Sequence, residues 1–208
     1  MTTKPYKFQT QDARQVAIKF KGRALVGSEM GTGKSFVALL AAQLLEARPV
    51  VIVCPASLKW NWQRECSIHL GLTSEVLEGT KPMRGGFNLN RKIIIINYDI
   101  LKFWLQDLLA IKPQLVVIDE CSAIGDRRTQ RTRACQTLCK DVPYVISLSG
   151  TPLVNRPAEL WPVLNILRPI QFPSFWMFAT RFCGAKRTRW GWDFNGAWKF
   201  FIFKIGER

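Results

Sequence analysis

Apolar residues fall along this chain in short unbroken runs. Five stand out, at residues 24–26, 50–54, 92–97, 115–119 and 144–149. Each is too short for a helix and lacks the alternation of a strand with one wet face. Such a run reads as a strand buried on both faces, as in a parallel sheet. Helical spacing fills the gaps, at 12–20, 35–47, 58–66, 101–109, 129–139 and 157–167. Strand–helix alternation predicts βαβ units and an α/β fold: a mainly parallel sheet with helices on both faces. Internal repeats and low-complexity segments are not evident.

The first run leads into Gly27-Ser28-Glu29-Met30-Gly31-Thr32-Gly33-Lys34-Ser35, and a helical run follows. Strand, glycine-bearing loop, Lys-Ser, then helix is the context of a phosphate-binding P-loop, here with Ser28 at the first position where glycine is usual. Gly31 and Gly33 let the backbone curl so that several N–H groups converge on one anion. The helix N-terminus adds partial positive charge. Residues 28–35 are thus the expected ATP-binding loop, with Lys34 on the β/γ-phosphates and Ser35 on Mg²⁺. The bland alternative is a glycine-rich strand-to-helix turn.

The fourth run ends in Asp119-Glu120. Ligand-binding residues of open α/β sheets sit just past the C-terminal ends of the strands. Asp119 is placed to hold Mg²⁺ and Glu120 to orient or deprotonate an attacking water. As a bland alternative, the pair could simply cap a helix.

Composition adds a partner class. Lys and Arg total 30 against 15 acidic residues, a net charge of +15. That excess favours a polyanion, most simply nucleic acid, over a merely solvated basic face. A hydrophobic content of 48% supplies a core and excludes global disorder. Cys54, Cys66, Cys121, Cys135, Cys139 and Cys183, with the single histidine His69, form no metal-ligand pattern, so zinc is not expected. The thiols read as reduced, in an intracellular protein, cytoplasmic or nuclear. Ile93-Ile94-Ile95-Ile96 is too short to span a bilayer, and no membrane role is expected.

With the two site motifs placed, the intervening residues resemble the first RecA-like lobe of superfamily 2 helicase-like ATPases. Within these the chain is most similar to the Snf-type DNA translocases, especially the annealing-helicase-like and phage-encoded members. The resemblance covers about residues 5–185. Gln11 matches the glutamine that reads adenine in that family, with Phe8 or Tyr6 before it. Pro55-Ala56-Ser57-Leu58-Lys59-Trp60-Asn61-Trp62-Gln63-Arg64-Glu65 matches its motif Ia, which touches the DNA backbone. Hydroxyls and free N–H groups at a helix start bind phosphate well. Ser57 could also cap the helix, and Trp60 and Trp62 could pack in the core.

Asn97-Tyr98 lies in a match to motif Ib, a second backbone-contact element. Ser149-Gly150-Thr151-Pro152, with Asn155 and Glu159-Leu160 behind it, matches motif III, which couples the two sites. Arg127, Arg128, Arg131 and Arg133 follow motif II, where the family is basic and close to DNA; a solvated helix face is the alternative. The resemblance therefore implies Pro55, Ser57, Lys59, Asn97, Tyr98, Arg127 and Arg131 as DNA contacts, and Ser149, Gly150 and Thr151 as coupling residues.

Two departures stand out. Ser122 occupies a place that is His in many relatives. The resemblance also implies a second RecA-like lobe downstream, carrying an arginine finger, which residues 171–208 are not expected to supply. A fragment, a split gene or a frameshift would produce such a chain. Residues 1–170 are expected to form the ATP-binding lobe. Residues 171–208 would be an aromatic, basic extension, with 12 of the chain's 24 aromatics and seven Lys/Arg against two acids. Part of that extension can form an aromatic helix packed on the lobe; its rings could also stack single-stranded nucleic acid. The expected function is a DNA-dependent, Mg-ATP-hydrolysing lobe acting on double-stranded or branched DNA. A non-enzymatic DNA- or partner-binding half is the alternative; a small-molecule kinase would need an acceptor pocket that no motif signals.

Overall fold

The computed structural model describes residues 4–29, 31–80, 92–151, 156–189 and 191–194. Six parallel strands form one sheet: β1 (Arg23–Val26), β2 (Val50–Cys54), β3 (Ser74–Val76), β4 (Ile93–Asn97), β5 (Leu115–Ile118) and β6 (Tyr144–Leu148). Their spatial order is β1-β6-β5-β2-β4-β3. The five predicted strands are all present, within one residue at each end. Every residue of β2, β4 and β5 is buried, which is why those strands read as unbroken apolar runs. β3 was not predicted; three residues at the sheet edge, two of them only partly buried, leave no such signal.

The helices are α1 (Lys7–Arg14), α2 (Lys34–Leu44), α3 (Lys59–Leu70), α4 (Tyr98–Ala110), α5 (Gln130–Cys139), α6 (Trp161–Leu167) and α7 (Phe175–Phe182). They cover both faces of the sheet. Val50, Ile52, Ile93 and Ile95 point into one core with α2 and Trp62; Val51, Val53, Ile94 and Ile96 point into the other with α4 and α5. This alternation is the period-two geometry of a strand, here with both faces apolar. Helix α2 is buried along seven consecutive residues, Phe36 to Ala42, so the segment behind the glycine loop is held on all sides.

Helix α1 begins five residues before the predicted segment. Its start is set by the Tyr6 N–H, which donates to Gln9 Oε1 (3.0 Å), rather than by an apolar stripe. Arg23 ties β1 to the far end of the chain: its guanidinium donates to the carbonyls of Val142 (2.6 Å), Ile166 (2.6 Å) and Leu167 (3.1 Å). Phe178 of α7, with Cys183 just beyond the helix, packs against Leu160, Trp161 and Leu164, so an aromatic helix does seat on the lobe. A two-stranded hairpin follows, β7 (Lys186–Thr188) and β8 (Gly191–Asp193). The aromatic run at 198–203 lies outside the described residues.

Candidate functional site

Because all six strands run parallel, their C-terminal ends share one edge of the sheet. The strand order decides what meets there. β1 leads into the glycine loop, β6 into Ser149, β5 into Asp119, β2 into Pro55 and β4 into Asn97. β6 lies between β1 and β5, so Ser149 sits between the loop and the acidic pair, and its N–H donates to Val26 O at 3.1 Å. The Ser149 hydroxyl is buried and accepts from Thr151 N at 3.1 Å, while Thr151 itself is exposed.

The loop turns through two left-handed glycines, Gly31 (φ 78°) and Gly33 (φ 77°). Gly33 is the residue before α2, whose first N–H groups have no partner within the helix. The Lys34 ammonium folds back over the loop and donates to the carbonyls of Ser28 and Glu29, each at 2.9 Å. Thr32 Oγ1 donates to Glu29 O at 2.8 Å. Ser35 is half-buried in the first turn of α2. Met30, expected in the loop, lies outside the described residues, as do Pro152 and Asn155.

Asp119 is held at four points. Its Oδ2 accepts from Trp62 Nε1 (2.8 Å) and its Oδ1 from the Glu120 N–H (3.0 Å). Its own N–H donates to Val53 O (2.8 Å), and its carbonyl accepts from the Tyr98 hydroxyl. Burial raises the pKa of the Asp119 carboxyl; the Trp62 and Glu120 donors, and then the Lys34 ammonium, oppose that rise. Glu120 follows with φ 47°, a left-handed backbone that costs a non-glycine residue about 1–2 kcal/mol. Backbone strain of this kind clusters where a side chain must be aimed.

Whether these residues suit Mg²⁺ is a question of donor chemistry. A carboxylate and a hydroxyl are hard oxygen donors, and Mg²⁺ takes one or two carboxylates and completes its shell with water and phosphate. Each Asp119 carboxylate oxygen accepts one hydrogen bond and keeps a second lone pair for a metal-bound water. Lys34 is near enough to favour the ionised form. The residues fit. Among the described residues, no group of three or more His, Cys, Asp and Glu could hold a metal by itself.

Four expected site residues have other surroundings than those expected. Gln11 is exposed on α1; Gln9, two residues earlier, is buried and donates from Nε2 to Thr32 O at 3.1 Å. Lys59 is not a surface cation: it is 8% exposed, and its ammonium donates to Leu77 O at 3.0 Å inside the fold. Asn97 and Tyr98 are interior, and Tyr98 spends its hydroxyl on the Asp119 carbonyl. Gln11 thus lies on the outward face of its helix, and the other three on the inward face of their elements. Pro55 is half-buried and Ser57 exposed at the end of β2. Arg127 and Arg131 are exposed. The Arg127 guanidinium lies 4.2 Å from the Phe175 ring centroid, and Arg131 stands 3.5 Å from Asp99.

All six cysteines are free and buried, and burial pushes the Cys54, Cys66, Cys121 and Cys139 thiols up to about 12. No helix among the described residues is long and apolar enough to cross a membrane.

A parallel sheet that gathers a glycine loop, a Lys-Ser helix start and an acidic pair on one edge defines a RecA-like lobe. The chain belongs to the SNF2-related domain family, whose model matches residues 18–188. It is 35% identical over 187 residues to the SWI/SNF-related matrix-associated actin-dependent regulator of chromatin subfamily A-like protein 1 of Bos taurus. That match covers 87% of this chain and 19% of the relative. It is 28% identical over 200 residues to the DNA annealing helicase and endonuclease ZRANB3 of Bos taurus, covering 90% and 18%. The chain thus spans about a fifth of the length of these relatives. The Sulfolobus solfataricus SWI2/SNF2 ATPase core in complex with dsDNA superimposes with a TM-score of 0.73 at 26% identity. The match covers 88% of this chain and 41% of that one.

Proposed function

We propose that this chain is the ATP-binding lobe of a DNA-dependent, helicase-like ATPase, acting on double-stranded or branched DNA together with a second RecA-like lobe. The observation that carries this is the common edge: Lys34, Ser35, Asp119 and Glu120 gather at the ends of β1 and β5, with Ser149 between them. The likeness to a SWI2/SNF2 core in complex with dsDNA, and to a DNA annealing helicase, supports the choice of partner.

The chemistry follows from residue positions. An entering triphosphate draws the Lys34 ammonium off the Ser28 and Glu29 carbonyls, exchanging two neutral acceptors for an anion. The described loop residues Ser28, Glu29 and 31–35 wrap the phosphates. Ser35 and Asp119 would hold Mg²⁺, which would supply charge neutralisation to the phosphates. Glu120 orients and deprotonates the attacking water. Gln9, rather than Gln11, takes the adenine-reading place, because it is the glutamine that packs against the loop. Ser149, Gly150 and Thr151 sense both β1 and β5 and couple the nucleotide to DNA. Pro55, Ser57, Arg127 and Arg131 remain as the DNA-contacting residues. An arginine finger is worth roughly 10³–10⁵ in rate. With that group supplied by a second lobe, the isolated chain binds Mg-ATP but turns it over slowly.

Nucleotide binding and ATP hydrolysis by the purified chain, with and without double-stranded DNA, test the reading. Binding with slow turnover, the turnover lost in Glu120→Gln while binding persists, is the expected result. DNA affinity with no nucleotide binding would overturn it in favour of a non-enzymatic half-module.

A further inference from the structure

Trp62 is 1% exposed on α3, and its ring fills the core between α2 and the sheet. Filling that space needs only an aromatic ring. The indole N–H is a further group, and buried indoles usually find an acceptor. Its acceptor here is Asp119 Oδ2 at 2.8 Å, 57 residues along the chain. Burial alone does not guarantee such a bond: the Trp161 indole N–H is also buried and has no partner among the described residues. The Trp62 bond is therefore specific. It holds one carboxylate oxygen of Asp119, and the Glu120 N–H holds the other, Oδ1.

The route back from Trp62 is short. Helix α3 begins at Lys59, directly after the Pro55–Leu58 turn at the end of β2. Trp62 lies within its first turn, so a shift of that turn moves the indole. A hydrogen bond of 2.8 Å is already weak if stretched by more than about half an ångström.

We propose that Trp62 is a positioning residue of the metal site: its indole N–H fixes the rotamer of the Asp119 carboxylate and ties that rotamer to the position of the Pro55–Leu58 turn. Contact at the turn and readiness of the acidic pair become one mechanical event. This rests on the nucleotide-site reading above. Outer partners of metal-ligating groups typically contribute 10- to 100-fold in metal affinity.

The test uses the whole chain and Trp62→Phe, which keeps the packed ring and removes the donor. ADP affinity is measured in EDTA, and Mn²⁺ affinity is measured by electron paramagnetic resonance in saturating ADP. Trp62→Phe is expected to leave metal-free ADP binding unchanged and to weaken Mn²⁺ binding roughly 10- to 100-fold. A general packing defect would weaken both, and that result overturns the proposal. Equal Mn²⁺ affinity in the two proteins overturns it as well. Absence of ADP binding in the unsubstituted chain would instead overturn the nucleotide-site reading itself. A second measurement needs no variant. In ¹⁵N-tryptophan-labelled chain, the Trp62 indole resonance is expected to move when Mg²⁺ is added to the ADP complex, and again when double-stranded DNA is added. A resonance that ignores both additions overturns the coupling.

Discussion

Gly31 and Gly33 form a matched pair whose replacement separates backbone strain from steric conflict. Both lie in the left-handed region, at φ 78° and 77°. Alanine at either position carries about 1–2 kcal/mol of conformational strain. Their surroundings differ. A Cβ at Gly31 meets nothing within 4 Å, whereas one at Gly33 stands 2.4 Å from Gln9 Nε2. That amide is not free to retreat: Gln9 is 5% exposed, bonded through Oε1 to Tyr6 N and through Nε2 to Thr32 O. Displacing it adds about 1–3 kcal/mol. Gly31→Ala should therefore cost about 1–2 kcal/mol and Gly33→Ala about 2–5 kcal/mol. Urea unfolding, compared at constant m-value, reads both. Adding Gln9→Ala to Gly33→Ala should recover at least about 1 kcal/mol relative to the sum of the single changes, because the clashing atom is gone. Equal costs at the two glycines, or strict additivity in the double variant, would refute the claim that Gln9 braces the loop.

Other variants probe the remaining assignments. Lys59→Met should cost about 1–3 kcal/mol in urea unfolding, since the Leu77 carbonyl loses its donor, and should leave DNA affinity and its salt dependence unchanged. Arg127→Ala and Arg131→Ala should each lower the slope of log affinity against log salt by about one for double-stranded DNA, with little loss of stability from the exposed Arg131–Asp99 pair. Glu120→Gly should abolish hydrolysis yet raise stability by about 1 kcal/mol, because glycine accepts φ 47° without strain; a loss of stability would mean the Glu120 side chain holds the fold.

Much of the fold was legible because parallel strands buried on both faces leave unbroken apolar runs. The α1 start and β3 were not: one depends on a local backbone cap, the other is a short edge strand with a polar sequence. The order of the site elements was legible too, since a loop or acidic pair directly after a strand must emerge at the strand's C-terminal end.

The helical residues whose surroundings differ from expectation share one cause, the facing of a helix. Gln9 and Ala13 recur at i and i+4, the buried face of α1, while Gln11 projects away. Lys59 shares its face with Trp62 and Cys66, and Tyr98 shares its face with Leu101, Trp104 and Leu108. That spacing places Lys59 and Tyr98 inside and Gln9 on the face opposite Gln11. The Trp62–Asp119 bond had no comparable signal, because neither sequence spacing nor burial pattern reveals which acceptor an indole finds.

The edge at the ends of β1, β6 and β5 is proposed to hold Mg-ATP through Lys34. Titration of a fluorescent ATP analogue into the chain and into Lys34→Ala, with circular dichroism to verify the fold, tests it most directly. Saturable, Mg²⁺-dependent binding by the chain, lost in a folded Lys34→Ala, is the predicted result. Equal affinity in both proteins, or no binding by the unsubstituted chain, would contradict the account.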